Sequence, residues 1–189
     1  MPISFSFNID KTIEALAYLL KRLGKMDKAK LMKLVYLADR SHFIRHGYPI
    51  TGDGQFAMQH GPVPSSTLDM INGNLMSAHG RVFRHIHVED SQVELRQEPT
   101  GGLLDANERR VLDEVLAQHG NKPTWTLVRE THRLPEYAET YVEGTSKPIP
   151  YERIAKHSGS EARFRHGRPV ISAETAARLN CPLPSDTDL

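Results

Sequence analysis

The amino-acid sequence predicts a mainly α-helical (α+β) fold, a single-domain bundle of about six to eight helices with a small β-hairpin or sheet. Apolar residues recur at three- and four-residue steps in several segments, a spacing typical of amphipathic helices. Glycine follows most of these segments, where it ends a helix at little conformational cost. One segment, 81–96, instead alternates apolar and polar residues, as a β-hairpin does.

The composition indicates a globular chain with its own core. Of its 189 residues, 39% are hydrophobic and 25% are charged, which is enough apolar surface to fold without covalent cross-links. We assign 1–180 to one domain and 181–189 to a flexible acidic tail. The formal net charge of +1 argues against a dedicated nucleic-acid binder, because such proteins carry a basic excess.

The cysteine content and the N-terminal residues bear on the cellular compartment. A single cysteine, Cys181, excludes an internal disulfide and a cysteine-rich zinc site. Residues 1–9 lack the basic and apolar stretches of a signal peptide, and no apolar run has the roughly 20 residues that span a bilayer. We therefore expect a cytoplasmic protein with no membrane partner.

The first two helices are predicted from their apolar stripes. Helix 10–23 ends at Gly24, whereas helix 27–46 begins at Asp27, a favourable N-cap residue, and ends at Gly47. The inward-facing residues of the second helix are Leu31, Met32, Leu34, Val35, Tyr36, Ala38 and Phe43. Its polar flank is predicted to contain Lys30, Lys33 and Arg40.

The chain changes character after the second helix. Residues 51–54 have the composition of a turn, and 55–60 form either a strand or an extended loop. Two prolines, Pro62 and Pro64, exclude a helix interior because each lacks a backbone N–H. Pro64 is well placed for the first turn of a third helix over 65–76.

The hairpin and several further helices complete the predicted fold. The hairpin 81–96 has its turn at 89–91. Asp105 and Glu108 have the spacing of a capping box and open a helix that ends at Gly120. The remaining predicted elements are helices over 124–132, 136–143, 151–157 and 172–179, and a basic loop over 163–168.

The ten histidines raise the question of a metal site. His42 and His46 lie four residues apart on the second helix, one turn after Asp39, and His85 and His87 share one face of the predicted hairpin. The first pair lacks the adjacent Glu of a zinc-protease motif. We interpret both pairs as solvent-exposed, the first at a helix end, and predict neither a metal nor a cofactor.

No catalytic or phosphate-binding motif appears in the chain. The patterns GxxxxGK[ST], GxGxxG and GxSxG are all absent from the sequence. We therefore predict no catalytic residue. The rigid Gly61–Pro62 junction is either a platform that presents binding residues or a tight structural connection, and both interpretations remain open.

Several ordered blocks of the sequence resemble the Panacea (SocA-like) antitoxin family. The blocks are KLVYLADR (33–40), YPITGD (48–53), HGPVP (60–64), Thr131-His132 and KPIPY (147–151). Pro135 follows Thr131-His132, and after it comes a tyrosine at a position where the family often has a tryptophan. The blocks span 26–157, and their combination is more specific than any one of them.

The resemblance implies an antitoxin that neutralises its toxin by direct binding, on a mainly helical domain with a small β element. It supplies no catalytic residue. It maps the family motif onto Lys33, Tyr36, Asp39, Arg40, Gly52, Asp53, His60, Gly61, Pro62 and Val63. The residues we expect to bind the partner are Lys33, Tyr36, Asp39, Arg40, Tyr48, Asp53, Phe56, Met58, His60, Pro62 and Val63.

The predicted partner is a protein toxin encoded by a neighbouring gene. Neither a membrane nor a nucleic acid is predicted as a partner, and self-association stays open. The acidic tail and the basic loop suggest an alternative function, an adaptor that delivers a bound protein to a protease or a promoter. A metal-dependent enzyme that uses the histidines is a third alternative.

Overall fold

The computed structural model describes residues 3–160 and, as backbone, 164–165 and 168–169. The helices of this part are α1 (Ile9–Leu23), α2 (Lys28–His46), α3 (Ser65–Ile71), α4 (His79–His85), α5 (Ala106–His119), α6 (Thr124–His132), α7 (Pro135–Ala138) and α8 (Tyr151–Ser158). The strands are β1 (Met26–Asp27), β2 (Gln55–Met58), β3 (Gly61–Pro64), β4 (Ile86–Glu89), β5 (Gln92–Leu95), β6 (Lys147–Pro148), β7 (Phe164–Arg165) and β8 (Arg168–Pro169). The predicted fold class, mainly α with small β elements, is confirmed.

The strands form small antiparallel sheets. One has the order β1-β5-β4 and a second the order β3-β2-β6, while β7 pairs with β8. In the second sheet Phe56 is paired with Val63 on one side and with Pro148 on the other, so that segments far apart in sequence meet at β2. This sheet joins the region after α2 to the region before α8.

Helix α2 is the central element of the fold. It contacts α1, α5, α6, α8 and β3 and is therefore enclosed from several directions. Most of its buried apolar residues belong to the larger core, together with residues of α1 and α5 such as Leu16 and Leu112. Polar residues of α2 are enclosed as well, and these are Lys33, Asp39 and His42.

A second, smaller core joins the two ends of the domain. It contains Ile3, Phe43, Tyr151 and Ile154, and Phe5 packs against it. The ring of Phe5 lies edge-on to that of Tyr151, with 5.1 Å between the centroids. The segment before α1 therefore takes part in a core that is completed only by α8.

Gly52 allows the N-terminal segment to lie close to the loop after α2. Its φ is +74°, and a Cβ at this position would lie 2.1 Å from the carbonyl oxygen of Ser6. The N–H of Asn8 donates to the carbonyl of Thr51 at 2.9 Å in the same region. Only glycine satisfies both the left-handed conformation and the close approach of the backbones.

The predicted helices over 10–23, 105–120 and 124–132 are confirmed, as is the helix at 151–157. At α5 the capping box forms in full: Asp105 accepts from the N–H of Glu108, and Glu108 accepts from that of Asp105, both at 2.8 Å. Asp27 does precede α2, but its carboxylate does not cap that helix. It accepts instead from Gln92 and from Thr124.

The prediction of a hairpin over 81–96 is wrong in its first half. Residues 79–85 form α4, and only 86–95 form the hairpin of β4 and β5. Val82 and Ile86, both fully buried, are four residues apart. This spacing places two residues on one side of a strand and also on one side of a helix, so the apolar pattern did not distinguish the two structures.

Two predicted helices are shorter in the structure. The third ends at Ile71 instead of residue 76, because Gly73 adopts a left-handed φ of +77°. The helix predicted over 136–143 is the single turn α7, which begins at Pro135 and ends at Ala138. Within the predicted basic loop, the backbone of 164–165 and 168–169 forms an antiparallel pair.

Some predictions concern the C-terminal part of the chain. The helix over 172–179, Cys181 and the acidic tail 181–189 lie outside the described residues. Among the helices of the described part, none has the length and apolar character needed to cross a membrane.

Candidate functional site

Lys33 is buried and holds the strand β3 against α2. Its Nζ donates to the carbonyl oxygen of Pro62 at 2.8 Å, and 2% of the residue is exposed. Burial lowers the pKa of Lys33 from its usual 10.5 to about 7. The prediction that Lys33 lies on a polar flank is therefore wrong, because the long side chain reaches inward to a backbone acceptor.

Gly61 makes the close packing around Lys33 possible. Its φ is +97°, and a Cβ there would lie 2.9 Å from Oγ1 of Thr131 and 3.1 Å from Cε of Lys33. Cδ2 of His132 would be 3.2 Å away. The turn between β2 and β3 is thus packed directly on α2 and α6, and a larger residue at Gly61 would separate them.

Asp39 fastens the loop after α2 to the helix. Its carboxylate accepts from the N–H of Thr51 at 2.9 Å, from the hydroxyl of the same residue, and from Nε2 of Gln55 at 3.2 Å. The residue is 1% exposed, and burial raises its pKa to about 7. Asp39 therefore acts as a buried acceptor that fixes the path of the chain.

Asp53 supplies the cap of α3 from outside that helix. Its carboxylate accepts from the N–H groups of Ser66 and Thr67, at 2.9 and 2.6 Å, and from the Thr67 hydroxyl at 2.7 Å. These are donors of the first turn that lack partners within the helix. The carbonyl of Asp53 accepts from the hydroxyl of Tyr151 at 2.7 Å, which ties α8 to the same loop.

Glu136 of α7 is the partner of two family-motif residues of α2. Its carboxylate accepts from the hydroxyl of Tyr36 at 3.0 Å and forms an ion pair with Arg40. The side chain of Glu136 is fully buried, whereas that of Arg40 is 20% exposed. Burial raises the pKa of Tyr36 well above its usual value, so the hydroxyl remains a donor at neutral pH.

These buried side chains form one internal set, which we call the polar junction. It consists of Lys33, Tyr36, Asp39, Asp53 and Glu136, and it fastens β3, the 48–54 loop, α3 and α7 to α2. Three more residues of the predicted binding set, Tyr48, Pro62 and Val63, are also buried. In the structure these residues contact other parts of the chain, and their contact with a partner stays a prediction.

The predicted binding residues that reach the surface are Arg40, Phe56, Met58 and His60. His60, at the turn between β2 and β3, is exposed, and the other three are partly buried. The ring of His60 contacts that of Trp125 edge-on, with 5.5 Å between the centroids. Trp125 is 64% exposed, an unusual position for the largest apolar side chain.

Aromatic side chains continue from this contact across α6 and α7. His132 stacks on Tyr137 at 4.7 Å between centroids, and Tyr137 stacks on Tyr141 at 5.3 Å. The hydroxyl of Tyr137 donates to the carbonyl of Met58 at 2.8 Å, which connects the stack to β2. We call this set the aromatic row, and its members are His60, Trp125, His132, Tyr137 and Tyr141.

The sequence contains a signal for the exposure of Trp125. The buried residues of α6 are Leu127, Val128 and Thr131. At 100° per residue, Trp125 lies about 110° from the centre of that stripe. A helical wheel therefore places the only tryptophan of the chain on the flank of α6 instead of its inner face.

The histidine pairs differ from their predicted positions. His42 is fully buried, not part of a solvated helix end, and its Nδ1 lies 2.7 Å from the carbonyl oxygen of Tyr48. Burial lowers the pKa of His42 to about 4. His85 ends α4 and His87 lies on β4, so the two do not share one face of a strand.

The fold and these contacts define a mainly helical domain with a buried polar framework and an aromatic row in which His60 and Trp125 are exposed. Compared with models of known protein families, residues 31–137 match the antitoxin SocA-like, Panacea domain. The chain belongs to this antitoxin family, and membership indicates a non-enzymatic role. No curated protein and no solved structure matches the chain.

Proposed function

We propose that the protein is the antitoxin of a two-gene toxin–antitoxin pair and neutralises a protein toxin by binding it, without catalysis. Membership of the antitoxin SocA-like family is the observation that carries this proposal. The toxin is encoded by a neighbouring gene, and the two proteins meet in the cytoplasm. The toxin is inhibited because the antitoxin covers or distorts its active surface.

The aromatic row is the surface we propose for this contact. Tryptophan and tyrosine dominate the few residues that contribute most of the energy in protein–protein interfaces. Trp125 and His60 are exposed and in contact, and Val142, which follows Tyr141, is 46% exposed. A stable interface buries about 1,200–2,000 Å² in total, so the toxin also covers neighbouring residues of β2 such as Phe56 and Met58.

The polar junction supports this surface from inside. Lys33 and Gly61 hold the turn that carries His60, and Glu136 holds α7, which carries Tyr137. Residues of the junction therefore act on the toxin through the position of the row. This division accounts for a binding set in which most members are buried and only His60 is fully at the surface.

Co-expression with the product of the neighbouring gene tests the function. We expect the toxin to stop growth when produced alone, and the antitoxin to restore growth and to co-purify with it. Failure of the wild-type protein to do either would contradict the proposed function, whatever surface is involved.

The surface is tested separately with Trp125→Ala. We expect this variant to bind the toxin at least tenfold more weakly, which corresponds to about 1.4 kcal/mol. Met76→Ala is the matched control, because Met76 is 81% exposed and is not part of the aromatic row. Equal affinity of both variants would place the contact elsewhere on the protein and leave the antitoxin function intact.

A further inference from the structure

We propose that His42, Asp105 and Glu108 form a binding site for one divalent transition-metal ion of the zinc class. One ring nitrogen of His42 and one carboxylate oxygen from each acidic residue lie within 4.8 Å of one another. The site joins the end of α2 to the start of α5 and does not include the polar junction or the aromatic row. It is independent of the proposed antitoxin function.

The tautomer of His42 is the first argument for the site. Its Nδ1 lies 2.7 Å from the carbonyl oxygen of Tyr48, and a carbonyl only accepts, so Nδ1 carries the proton. Nε2 then carries a lone pair. Histidines that bind metals commonly donate the other N–H to a backbone carbonyl in this manner, because the bond fixes the ring.

The burial of Nε2 is the second argument. Among the described residues, this nitrogen is one of the few buried side-chain atoms with no hydrogen-bond partner, and His42 itself is 0% exposed. A buried polar atom without a partner is costly and calls for an unseen ligand. A lone pair accepts either a hydrogen bond or a metal ion, and the two carboxylates within 4.8 Å of the ring nitrogen favour a cation as the ligand.

The chemistry of the three donors selects the class of ion. One imidazole nitrogen with two carboxylate oxygens suits Zn²⁺, Mn²⁺ or Fe²⁺ better than Ca²⁺ or Mg²⁺, which prefer oxygen alone. Zinc requires about 2.0–2.2 Å to each ligand, so the donors approach one another by roughly 1 Å on binding. Asp105 is only partly buried, which leaves room for a solvent ligand at a fourth position.

Lys11 is the competitor for this ion. Its ammonium lies 2.7 Å from Oε1 of Glu108, and both side chains are buried. Without a metal, one ammonium faces two carboxylates, so the site has one negative charge in excess. With a divalent ion bound, the net charge of the site becomes +1. Repulsion between the Lys11 ammonium and the ion therefore weakens metal binding but does not prevent it.

Titration of chelator-treated, full-length protein with Zn²⁺, followed by calorimetry, tests the site, and Co²⁺ absorption reports the ligand geometry. We expect one ion per chain and a rise in Tm with Zn²⁺. In Asp105→Asn the affinity falls at least tenfold, an effect of the size expected for perturbed metal sites. Asn caps a helix about as well as Asp, so this variant keeps α5 folded.

Two further variants complete the test. Asp113→Asn carries the same substitution on the exposed side of α5, and we expect it to bind Zn²⁺ like the wild type. Lys11→Met removes the competing ammonium and tightens binding severalfold. Absence of binding by the wild type, binding by Lys11→Met alone, or equal binding by the two Asn variants would each overturn the proposal.

Discussion

The polar junction and the aromatic row meet at the turn between β2 and β3 but differ in charge and in exposure. The junction consists of charged and polar groups that are almost fully enclosed and hydrogen-bonded. The row consists of aromatic rings, two of which are largely exposed. The charged residues of the motif thus stabilise the structure from inside, whereas the exposed rings of the row are those of His60, within a motif block, and Trp125, outside the blocks.

Substitution within the junction should show the largest effect on stability. In Asp53→Ala, the N–H groups of Ser66 and Thr67 and the Thr67 hydroxyl lose their acceptor. We expect the free energy of unfolding, measured by urea denaturation, to fall by about 3 kcal/mol or more. Asp69→Ala, at an exposed position of α3, should change it by only about 0.5 kcal/mol.

An unchanged stability of Asp53→Ala would mean that water replaces the carboxylate. The Asp53 carboxylate of the polar junction would then contribute as little to the free energy of unfolding as Trp125 of the aromatic row.

The buried amine of Lys33 should give the junction a dependence on pH. Its pKa in the folded state, about 7, is below its usual 10.5, so folding favours the neutral amine. The resulting stabilisation is complete above pH 10.5 and is lost as the pH falls towards 7. Between pH 8 and 9.5 the wild-type free energy of unfolding should therefore rise by up to about 1.4 kcal/mol per pH unit.

Lys33→Met should abolish this slope, because it removes the titrating group. Lys30→Met, one turn earlier and more exposed, is the control and should keep the slope. Urea denaturation at several pH values makes the measurement. A slope that persists in Lys33→Met would show that another group titrates and that Lys33 remains charged in the fold.

The row should show the smallest effect on stability. Trp125→Ala removes a ring that is mostly exposed, so we expect the free energy of unfolding to change by about 0.5 kcal/mol. Thermal denaturation of the isolated antitoxin measures this. A large loss would mean that Trp125 belongs to the framework, and weaker toxin binding by the variant would then have a structural cause.

The sequence was most informative where local signals agreed. In α5 the Asp105–Glu108 spacing, the apolar stripe and Gly120 all indicated one helix, and the structure has it. At 79–85 the spacing of Val82 and Ile86 suited both a helix and a strand. The outcome there depends on packing against the rest of the chain, which a local pattern does not contain.

The polar junction was less predictable because its partners are distant in sequence. Tyr36 and Glu136 are 100 residues apart, and Lys33 meets a carbonyl 29 residues further on. Because Lys33 and His42 are polar, both were predicted to lie at the surface. The family motif contains four of the five junction residues, and the fold shows that these four face inward.

The second core has a consequence for the synthesis of the protein. Ile3 donates its N–H to Glu152, 149 residues further along the chain, and Phe5 packs on Tyr151. The segment before α1 therefore cannot complete its packing until α8 has been synthesised, a delay of about 7–30 s at elongation rates of about 5–20 residues per second. The second core therefore forms only after translation has passed α8, and a chain that ends before α8 leaves the rings of Phe5 and Phe43 without their contact to Tyr151.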